Sequence, residues 1–188
     1  MFSLETERLL IRPWDEPRDR AAFAALTEDP EVMRYVHEGQ PYSEAEVDEW
    51  FARQARWMRE LDLCMGAMIE KATGKLVGLA GTQPLGTTGE LEIGWWLARD
   101  VWGRGYATEA GGATMRHVLE ALGRPRVVAI IHPMNDASKR VVARLGMQWA
   151  KRTTGAELGH RKPEIVVDYF VRERDGVGKS PAAALPKV

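Results

Sequence analysis

The pattern of apolar and polar positions predicts a strand and two helical segments at the start of the chain. The run Glu7–Arg12 is typical of a strand, and Pro13 ends it because proline lacks the backbone N–H that strand pairing uses. A helical pattern runs from Pro17 to about Leu26. Asp29-Pro30 then has the cap-then-proline order of another helix start.

A long helix is predicted over about residues 44–61. Ser43 and Glu46 form a capping box, in which each residue satisfies a free N–H group of the other at the helix start. Apolar residues recur behind it at helical spacing: Val47, Trp50, Phe51, Trp57, Met58 and Leu61.

Short apolar runs follow, and they predict strands. Leu63–Ile69 and Leu76–Thr82 flank a turn that contains Gly74, which is the pattern of a hairpin. A third run covers Glu90–Leu97. After the segment 102–109, a helical stretch extends to about Leu122, where Gly123 and Pro125 end it.

The remaining segments complete a mixed α/β sheet. We predict a strand at Arg126–His132, a helix at Ser138–Leu145 and a last strand at Val166–Val171. Hairpins and crossover helices alternate along the chain, so the fold class is a mixed sheet with helices. A single domain is predicted over residues 1–174, and the aperiodic segment 175–188 is predicted to be a disordered tail.

Composition and charge narrow the function classes. The chain has 188 residues, 45% of them hydrophobic, which suffices for one self-supporting core. Its net charge of −1 gives no electrostatic reason to expect nucleic-acid or membrane partners. Cys64 is the only cysteine and is interpreted as a buried hydrophobe, while His37, His117 and His132 lack ligand spacing, so no metal is expected. Neither a membrane span nor a signal peptide is visible, which predicts a soluble, cytoplasmic protein.

The segment Gly103-Arg104-Gly105, between a strand and a helix, indicates a place where a phosphate could bind. Glycines let the backbone approach a ligand closely, and N–H groups at a helix start point at one spot. The spacing matches neither a P-loop nor a dinucleotide fingerprint. On spacing alone, a structural glycine turn explains the segment equally well.

Four further stretches decide between these interpretations. Glu92–Leu97, Trp102–Ala110, Asn135–Ser138 and Leu145–Met147 together resemble the GNAT acyltransferases, over roughly residues 4–172. With the opening Glu5–Arg12, the chain is most similar to the branch of ribosomal-protein N-terminal (alanine/serine) acetyltransferases. Trp102 stands where the superfamily often has Gln or Arg, but tryptophan is common in this branch.

The resemblance implies a GNAT fold and acetyl-CoA as co-substrate, with no metal. The fold would be a mostly antiparallel sheet, flanked by helices and splayed between two parallel strands at 92–97 and 126–132. The pantetheine arm would pair with the backbone of Trp95, Trp96 and Leu97, and it would contact Asn135. The pyrophosphate would lie on the N–H groups of Gly103, Arg104, Gly105, Ala107 and Thr108. The outer phosphates would be met by Arg104, Lys139 and Arg140, for which ordinary solvated charges are the alternative.

The implied reaction is direct attack of an amine on the thioester, and two side chains are candidate catalysts. Ser138 would protonate the departing thiolate, an assignment favoured because no tyrosine stands between Ala107 and Tyr169. The alternative is that Asn135 or Asp136 caps a helix and Ser138 only occupies its first turn.

Glu92 is the candidate base, since a carboxyl beside apolar tryptophans on a half-buried strand would have a raised pKa. It could instead be a charge at the exposed end of the strand. By position, Glu157, His160 and ordered water remain alternatives. Glu109 is interpreted as a favourable charge at a helix start.

The predicted acceptor is the α-amine of a protein or peptide. A small amine, such as an aminosugar or polyamine, is the alternative, because acidic residues cluster at Glu38, Glu44, Glu46, Asp48 and Glu49. A catalytically silent acyl-CoA sensor is a third hypothesis. The fold occurs as monomers and as dimers, so a homodimer is compatible with the sequence.

Overall fold

The strands of the protein form one mixed sheet. The structure is a computed structural model and describes residues 2–37 and 39–175. The strands are β1 (Leu4–Glu5), β2 (Leu9–Arg12), β3 (Met65–Glu70), β4 (Leu76–Pro84), β5 (Leu91–Leu97), β6 (Arg126–Ile131), β7 (Gln148–Thr154) and β8 (Val166–Glu173). Their order in the sheet is β1-β2-β3-β4-β5-β6-β8-β7. The sheet is mostly antiparallel with one parallel pair, β5 with β6 at Glu92 and Val128, which confirms the predicted fold class.

The first five helices begin close to the places that the sequence predicts. They are α1 (Glu16–Glu28), α2 (Pro30–Met33), α3 (Glu44–Leu61), α4 (Tyr106–Arg116), α5 (Asp136–Arg144) and α6 (Gly155–Leu158). The capping box before α3 is present: the Glu46 N–H donates to Ser43 Oγ, and the Ser43 N–H donates to Glu46. The helical stretch predicted to reach Leu122 changes at His117, where a π-helical turn runs to Ala121. The sequence pattern does not delimit β1, β7 or α6.

The described residues group into two compact units, and each has its own core. The first unit spans residues up to 81 together with 95–110. One of its clusters packs β2, β3 and β4 against α4, and the other packs α1, α2 and α3 on β3 and β4. Trp95 belongs to the first cluster and Trp96 to the second, as expected for neighbours on a strand whose side chains alternate.

The second unit spans residues 82–94 and the segment from 111 onward. Its core includes Leu85, Val128, Leu158, Val167 and Tyr169. The single domain over residues 1–174 stays a prediction. The tail predicted at 175–188 lies, except for Asp175, outside the described residues.

Two searches over the described residues bear on ligands and membranes. No group of three or more His, Cys, Asp and Glu side chains among them could hold a metal ion. None of the helices in these ranges is long and apolar enough to cross a bilayer.

Candidate functional site

The loop between β5 and α4 has the backbone of an anion-binding turn. Gly103 and Gly105 have φ values of +78° and +82°, in the left-handed region that glycine adopts without strain. Both are exposed, and a Cβ placed on Gly103 would meet nothing within 4 Å. The indole of Trp102 donates to the Leu97 carbonyl at 2.8 Å, so the start of the loop is tied to the end of the strand. Open space therefore borders the backbone of the loop.

Backbone N–H groups supply the donors of this turn. The first helical bond of α4 runs from the Glu109 N–H to the Gly105 carbonyl at 3.1 Å. The N–H groups of Tyr106, Ala107 and Thr108 precede it, and such groups have no partner within a helix. They lie at the positive end of the helix dipole, where an anion is stabilised. The loop thus fits a pyrophosphate, although it lacks the Gly-Lys-Ser/Thr sequence of a P-loop.

The three cations predicted for the outer phosphates differ in their surroundings. The Arg104 guanidinium donates to the Asp100 carbonyl at 3.1 Å and lies 3.6 Å from a Glu70 oxygen. Lys139 donates to the Pro133 carbonyl at 2.5 Å and pairs with Asp168 at 3.1 Å. Arg140 is exposed. Lys139 is paired with Asp168 at 3.1 Å, whereas Arg104 is 3.6 Å from its carboxylate and Arg140 is exposed, which leaves Arg104 and Arg140 as the stronger candidates.

The strand residues predicted to meet the pantetheine are half-buried at Trp95 and Trp96 and buried at Leu97. Trp96 packs 5.1 Å from the Trp50 ring and 6.2 Å from the Tyr42 ring, measured between ring centroids. The Leu97 carbonyl already accepts the Trp102 indole N–H. The Leu97 carbonyl therefore has one acceptor position in use before any ligand binds.

Glu92 is a buried carboxyl with a strongly shifted pKa. Its side chain accepts one hydrogen bond, from Gln83 Nε2 at 3.1 Å, and no cation pairs with it in the part of the chain that the structure describes. Burial raises the pKa of Glu92 to about 7, and the Gln83 hydrogen bond opposes that shift. The hydroxyl of Thr82 holds the Glu92 carbonyl at 2.9 Å, which fixes the strand here. The hypothesis of an exposed strand end is wrong, because Glu92 is only 8% exposed.

Glu90, two residues earlier, has a paired cation, and Glu92 does not. It is equally buried, but it accepts the Tyr169 hydroxyl and pairs with Arg126 at 2.5 Å. Its charge is therefore compensated. A carboxyl with no paired cation and a pKa near neutrality is the one suited to proton transfer.

Asn135 and Ser138 lie at the start of α5. Asn135 is the N-cap of α5, and its side-chain oxygen accepts the Ser138 N–H at 3.0 Å. The predicted cap is therefore present, with Ser138 in the first turn. Both residues are partly buried, and the cap uses the backbone N–H of Ser138 rather than its hydroxyl. Their proposed roles toward a thioester stay predictions.

The alternative bases are engaged in local structure. Glu157 is exposed and accepts the Thr153 hydroxyl at 2.5 Å. His160 accepts the Lys162 N–H at 3.1 Å, and burial lowers its pKa. Cys64 is fully buried, and burial raises the pKa of its thiol, so it behaves as a hydrophobe rather than a nucleophile.

Gln83 is a site residue that sequence reasoning does not identify. It stands near the end of β4, nine residues from Glu92, and only strand pairing brings the two side chains together. The candidate residues fall in both units: the loop 103–108 in the first, and Glu92, Asn135 and Ser138 in the second.

Comparison with known proteins identifies the family. A family model described as an acetyltransferase (GNAT) domain matches residues 8–148. The chain is 30% identical over 156 residues to the FsC-acetyl coenzyme A-N(2)-transacetylase of Aspergillus fumigatus, covering 77% of this chain and 64% of that one.

Solved structures share the fold. An acetyltransferase from Agrobacterium tumefaciens is 25% identical with a TM-score of 0.77, covering 92% of this chain and 95% of that one. A ribosomal L7/L12 alpha-N-protein acetyltransferase in complex with coenzyme A has a TM-score of 0.75 at 17% identity, covering 94% of this chain and all (100%) of that one.

Proposed function

Because the chain belongs to the GNAT acetyltransferase family and is thus an acetyl-CoA-dependent N-acetyltransferase, we propose that it acetylates the α-amine of a protein or peptide. The observation that carries the proposal is the buried carboxyl of Glu92, whose pKa is raised to about 7. An α-amine has a pKa of about 8 and a lysine side chain about 10.4. The pKa of an α-amine is close to that of Glu92, so proton transfer between them costs little free energy. Transfer from a lysine side chain to Glu92 is strongly unfavourable.

The donor would be held mainly by backbone. We propose that the N–H groups of Gly103, Arg104, Gly105, Ala107 and Thr108 bind the pyrophosphate. The strand backbone at Trp95, Trp96 and Leu97 would meet the pantetheine amides, as an added strand does. Asn135 has an amide NH₂ group that is not used in capping Ser138, and that group would donate to the pantetheine. This assignment agrees with the exposed glycines and the free N–H groups at the start of α4.

Two side chains and one backbone group would serve the chemistry. Acetyl-CoA supplies the thioester that the amine attacks. Glu92 would take the proton that the amine loses, and the Trp95 backbone N–H would donate to the developing oxyanion. Ser138 would hydrogen-bond the leaving thiolate, whose conjugate acid has a pKa of about 8.5, and pass its hydroxyl proton to the sulfur as it takes one back from water, so that the thiol leaves and the serine is restored.

Fold similarity to the ribosomal L7/L12 alpha-N-protein acetyltransferase supports a protein acceptor. The sequence suggested that the acidic residues around α3 could attract a cationic acceptor. The structure weakens this argument, because arginines pair with several of them. Arg20 pairs with Glu44 at 3.0 Å and with Asp48 at 2.6 Å, and Arg53 pairs with Glu49 at 3.2 Å. Glu38 lies outside the described residues. Much of the negative charge on this face is thus already matched.

A small-molecule amine is the second candidate, and one relative is not named as a protein acetyltransferase. The Aspergillus fumigatus protein, at 30% identity, is named for transfer of acetyl from coenzyme A to N(2) of FsC. Its identity to this chain is higher than that of the ribosomal-protein enzyme, but the chain spans only 64% of its length.

One peptide tests both acceptors and the base. It carries a free α-amine and an internal lysine, and fragmentation mass spectrometry locates the acetyl group after incubation with acetyl-CoA. We expect the label on the α-amine, with loss of the product in Glu92→Gln and Ser138→Ala and no product with an N-terminally blocked peptide. Acetylation of only small amines in a parallel panel would replace the proposal with the second candidate. Acetyl-CoA binding without turnover of any amine would indicate the silent sensor.

A further inference from the structure

Arg8, just before β2, is joined to the first turn of α4. Its backbone N–H donates to Glu109 Oε1 at 2.9 Å, and its Nε donates to Glu109 Oε2 at 2.7 Å. Nη2 of Arg8 lies 2.6 Å from the same oxygen, and the Thr6 hydroxyl donates to Oε1 at 2.6 Å. Glu109 therefore receives the Arg8 guanidinium on Oε2 and two further hydrogen bonds on Oε1, which is more than a favourable position in a helix dipole requires.

The other side of the Arg8 guanidinium contacts the glycine loop itself. Nη1 donates to the Arg104 carbonyl at 2.9 Å. The guanidinium carbon lies 4.6 Å from the centroid of the Tyr106 ring, within the range of a cation–π contact. A Cβ placed on Gly105 would come within 3.5 Å of Nη2. One side chain thus contacts Arg104 and Tyr106, the residues on either side of Gly105.

Further contacts join this arrangement to the antiparallel strand pair β2 and β3. The Arg8 carbonyl accepts the Lys71 N–H at 2.9 Å. On the far side, the Tyr106 hydroxyl donates to Glu70 Oε1 at 2.6 Å, and Glu70 ends β3. The loop is therefore braced by a rigid pair of strands from two directions.

The bond to Arg104 sets the direction of a proposed donor. In a trans peptide the carbonyl and the following N–H point in opposite directions within one plane. Since Arg8 holds the Arg104 carbonyl, the Gly105 N–H points away from Arg8. Gly103 and Gly105 have little intrinsic conformational preference, so this orientation needs a restraint from outside the loop.

The ion pair also removes an electrostatic obstacle. A bare carboxylate in the first turn of α4 would repel a pyrophosphate at the same helix end. Arg8 compensates that charge at 2.6 Å, so the positive end of the helix dipole remains available to an anion.

From this geometry we propose that Arg8 is a positioning residue for the pyrophosphate of acetyl-CoA: it orients the Arg104–Gly105 peptide and neutralises Glu109. The inference rests on the proposed donor site at residues 103–108. It does not depend on which amine accepts the acetyl group.

Binding of two ligands that differ in the pyrophosphate tests it. Titration calorimetry gives the dissociation constant of CoA, and competition against CoA gives that of pantetheine, which lacks the pyrophosphate and nucleotide. In Arg8→Gln we expect the CoA constant to rise about tenfold, the scale of losing one charge-assisted interaction, while the pantetheine constant stays unchanged. Arg8→Lys keeps the positive charge but loses the planar guanidinium group. We expect a smaller rise in the CoA dissociation constant than in Arg8→Gln, and no change in the pantetheine constant.

Arg20→Gln is the matched control, because Arg20 makes comparable ion pairs with Glu16, Glu44 and Asp48 away from the loop. It should leave both constants as in the unchanged protein. An equal rise for CoA and pantetheine in Arg8→Gln, or no rise for CoA, would overturn the proposal. Failure to acetylate the test peptide would contradict the proposed acceptor but leave the expected changes in the CoA and pantetheine dissociation constants intact. A wrong acceptor and a wrong role for Arg8 therefore give different results.

Discussion

Glu90 and Glu92 stand two residues apart at the start of β5 and are equally buried, yet only Glu90 has a paired cation. We predict that kcat/KM rises with pH through about 7, because Glu92 must lose its proton before it can act as a base. Glu92→Gln should lower kcat/KM about 100-fold or more and remove the limb near pH 7, leaving only the rise due to the acceptor α-amine with its pKa of about 8. Rates measured from pH 5.5 to 8.5 check both expectations. An unchanged limb in the variant would assign the base to another group.

The same carboxyl makes a prediction about stability. A folded-state pKa raised to about 7 from 4.5 means that the folded protein binds the proton more tightly than the unfolded chain. This contribution to stability is fully present below pH 4.5 and is lost as the pH rises through 7. Glu92→Gln stays neutral, so its free energy of unfolding should exceed that of the unchanged protein by about 1–3 kcal/mol at pH 8 and by much less at pH 5.

Urea unfolding at the two pH values measures the difference. Glu90→Gln is the control, and it should destabilise instead, because it leaves Arg126 without its carboxylate partner. Equal stability of Glu92→Gln and the unchanged protein at pH 8 would show that Glu92 is not held in an unfavourable charged state.

Asn135 combines a structural and a proposed functional role that substitution can separate. Asn135→Asp keeps the oxygen that caps α5 but removes the amide donor, whereas Asn135→Ala removes both. We predict that Asn135→Ala lowers the free energy of unfolding by about 1 kcal/mol and that Asn135→Asp does not. Both should weaken CoA binding if the amide donates to pantetheine. Chemical unfolding and calorimetry give the two readouts, and wild-type affinity in Asn135→Asp would reduce the residue to a cap.

At the scale of elements, two glycines of the β3–β4 hairpin should differ in how much an alanine substitution destabilises the protein. Gly81 has a φ of +153°, and a Cβ there would lie 2.0 Å from the Cys64 carbonyl oxygen, which is backbone and cannot move aside cheaply. Gly74, in the turn, has a φ of +69° with nothing within 4 Å. Gly81→Ala should destabilise by about 4 kcal/mol or more, whereas Gly74→Ala should lose only about 1–2 kcal/mol of left-handed strain. Comparable losses in urea unfolding would contradict this close approach.

The elements with strong local signals were predictable from the sequence. α3 has its capping box and apolar face, and the hairpin has its turn glycine, so both are found near the expected residues. β7 has five exposed residues in a row and so has no apolar alternation that would distinguish it from a loop. Its strand conformation depends on pairing with β8 at the edge of the sheet.

The same limit applies to the candidate site. Glu92 and the glycine loop could be named as candidates from residue type and position along the chain, although the resemblance to the GNAT acyltransferases decided the interpretation of the loop. Arg8 could not, since Glu109 lies 101 residues away in sequence and only the fold makes them neighbours. Gln83 likewise depends on the pairing of β4 with β5. Residues that support a site are specified by tertiary contacts, which a local pattern does not record.

At the scale of the whole molecule, the net charge of −1 results from many opposite charges, several of which are paired with each other. Arg8 compensates Glu109, Arg126 compensates Glu90, and Arg20 binds the acidic face around α3. Within the described residues, Glu92 is the buried carboxyl that stays outside such pairs, and the exposed N–H groups of the loop are the natural place for an anion. Because the charges elsewhere are already paired, a ligand should gain the most binding free energy at Glu92 and at the N–H groups of the loop.

A ligand that binds only the folded protein must therefore raise its melting temperature. At 100 times its dissociation constant, acetyl-CoA should add about 2.7 kcal/mol of stability. For a chain of this size each kcal/mol shifts the midpoint by about 2–4 °C, so we predict a rise of about 5–10 °C. Thermal unfolding followed by circular dichroism measures it. ATP and NAD lack the pantetheine arm and should shift the midpoint far less, while Glu92→Gln should keep the full shift, because Glu92 is proposed to act on the acceptor amine rather than to hold the donor. An equal shift with ATP would mean that the loop binds phosphate without recognising the rest of the donor.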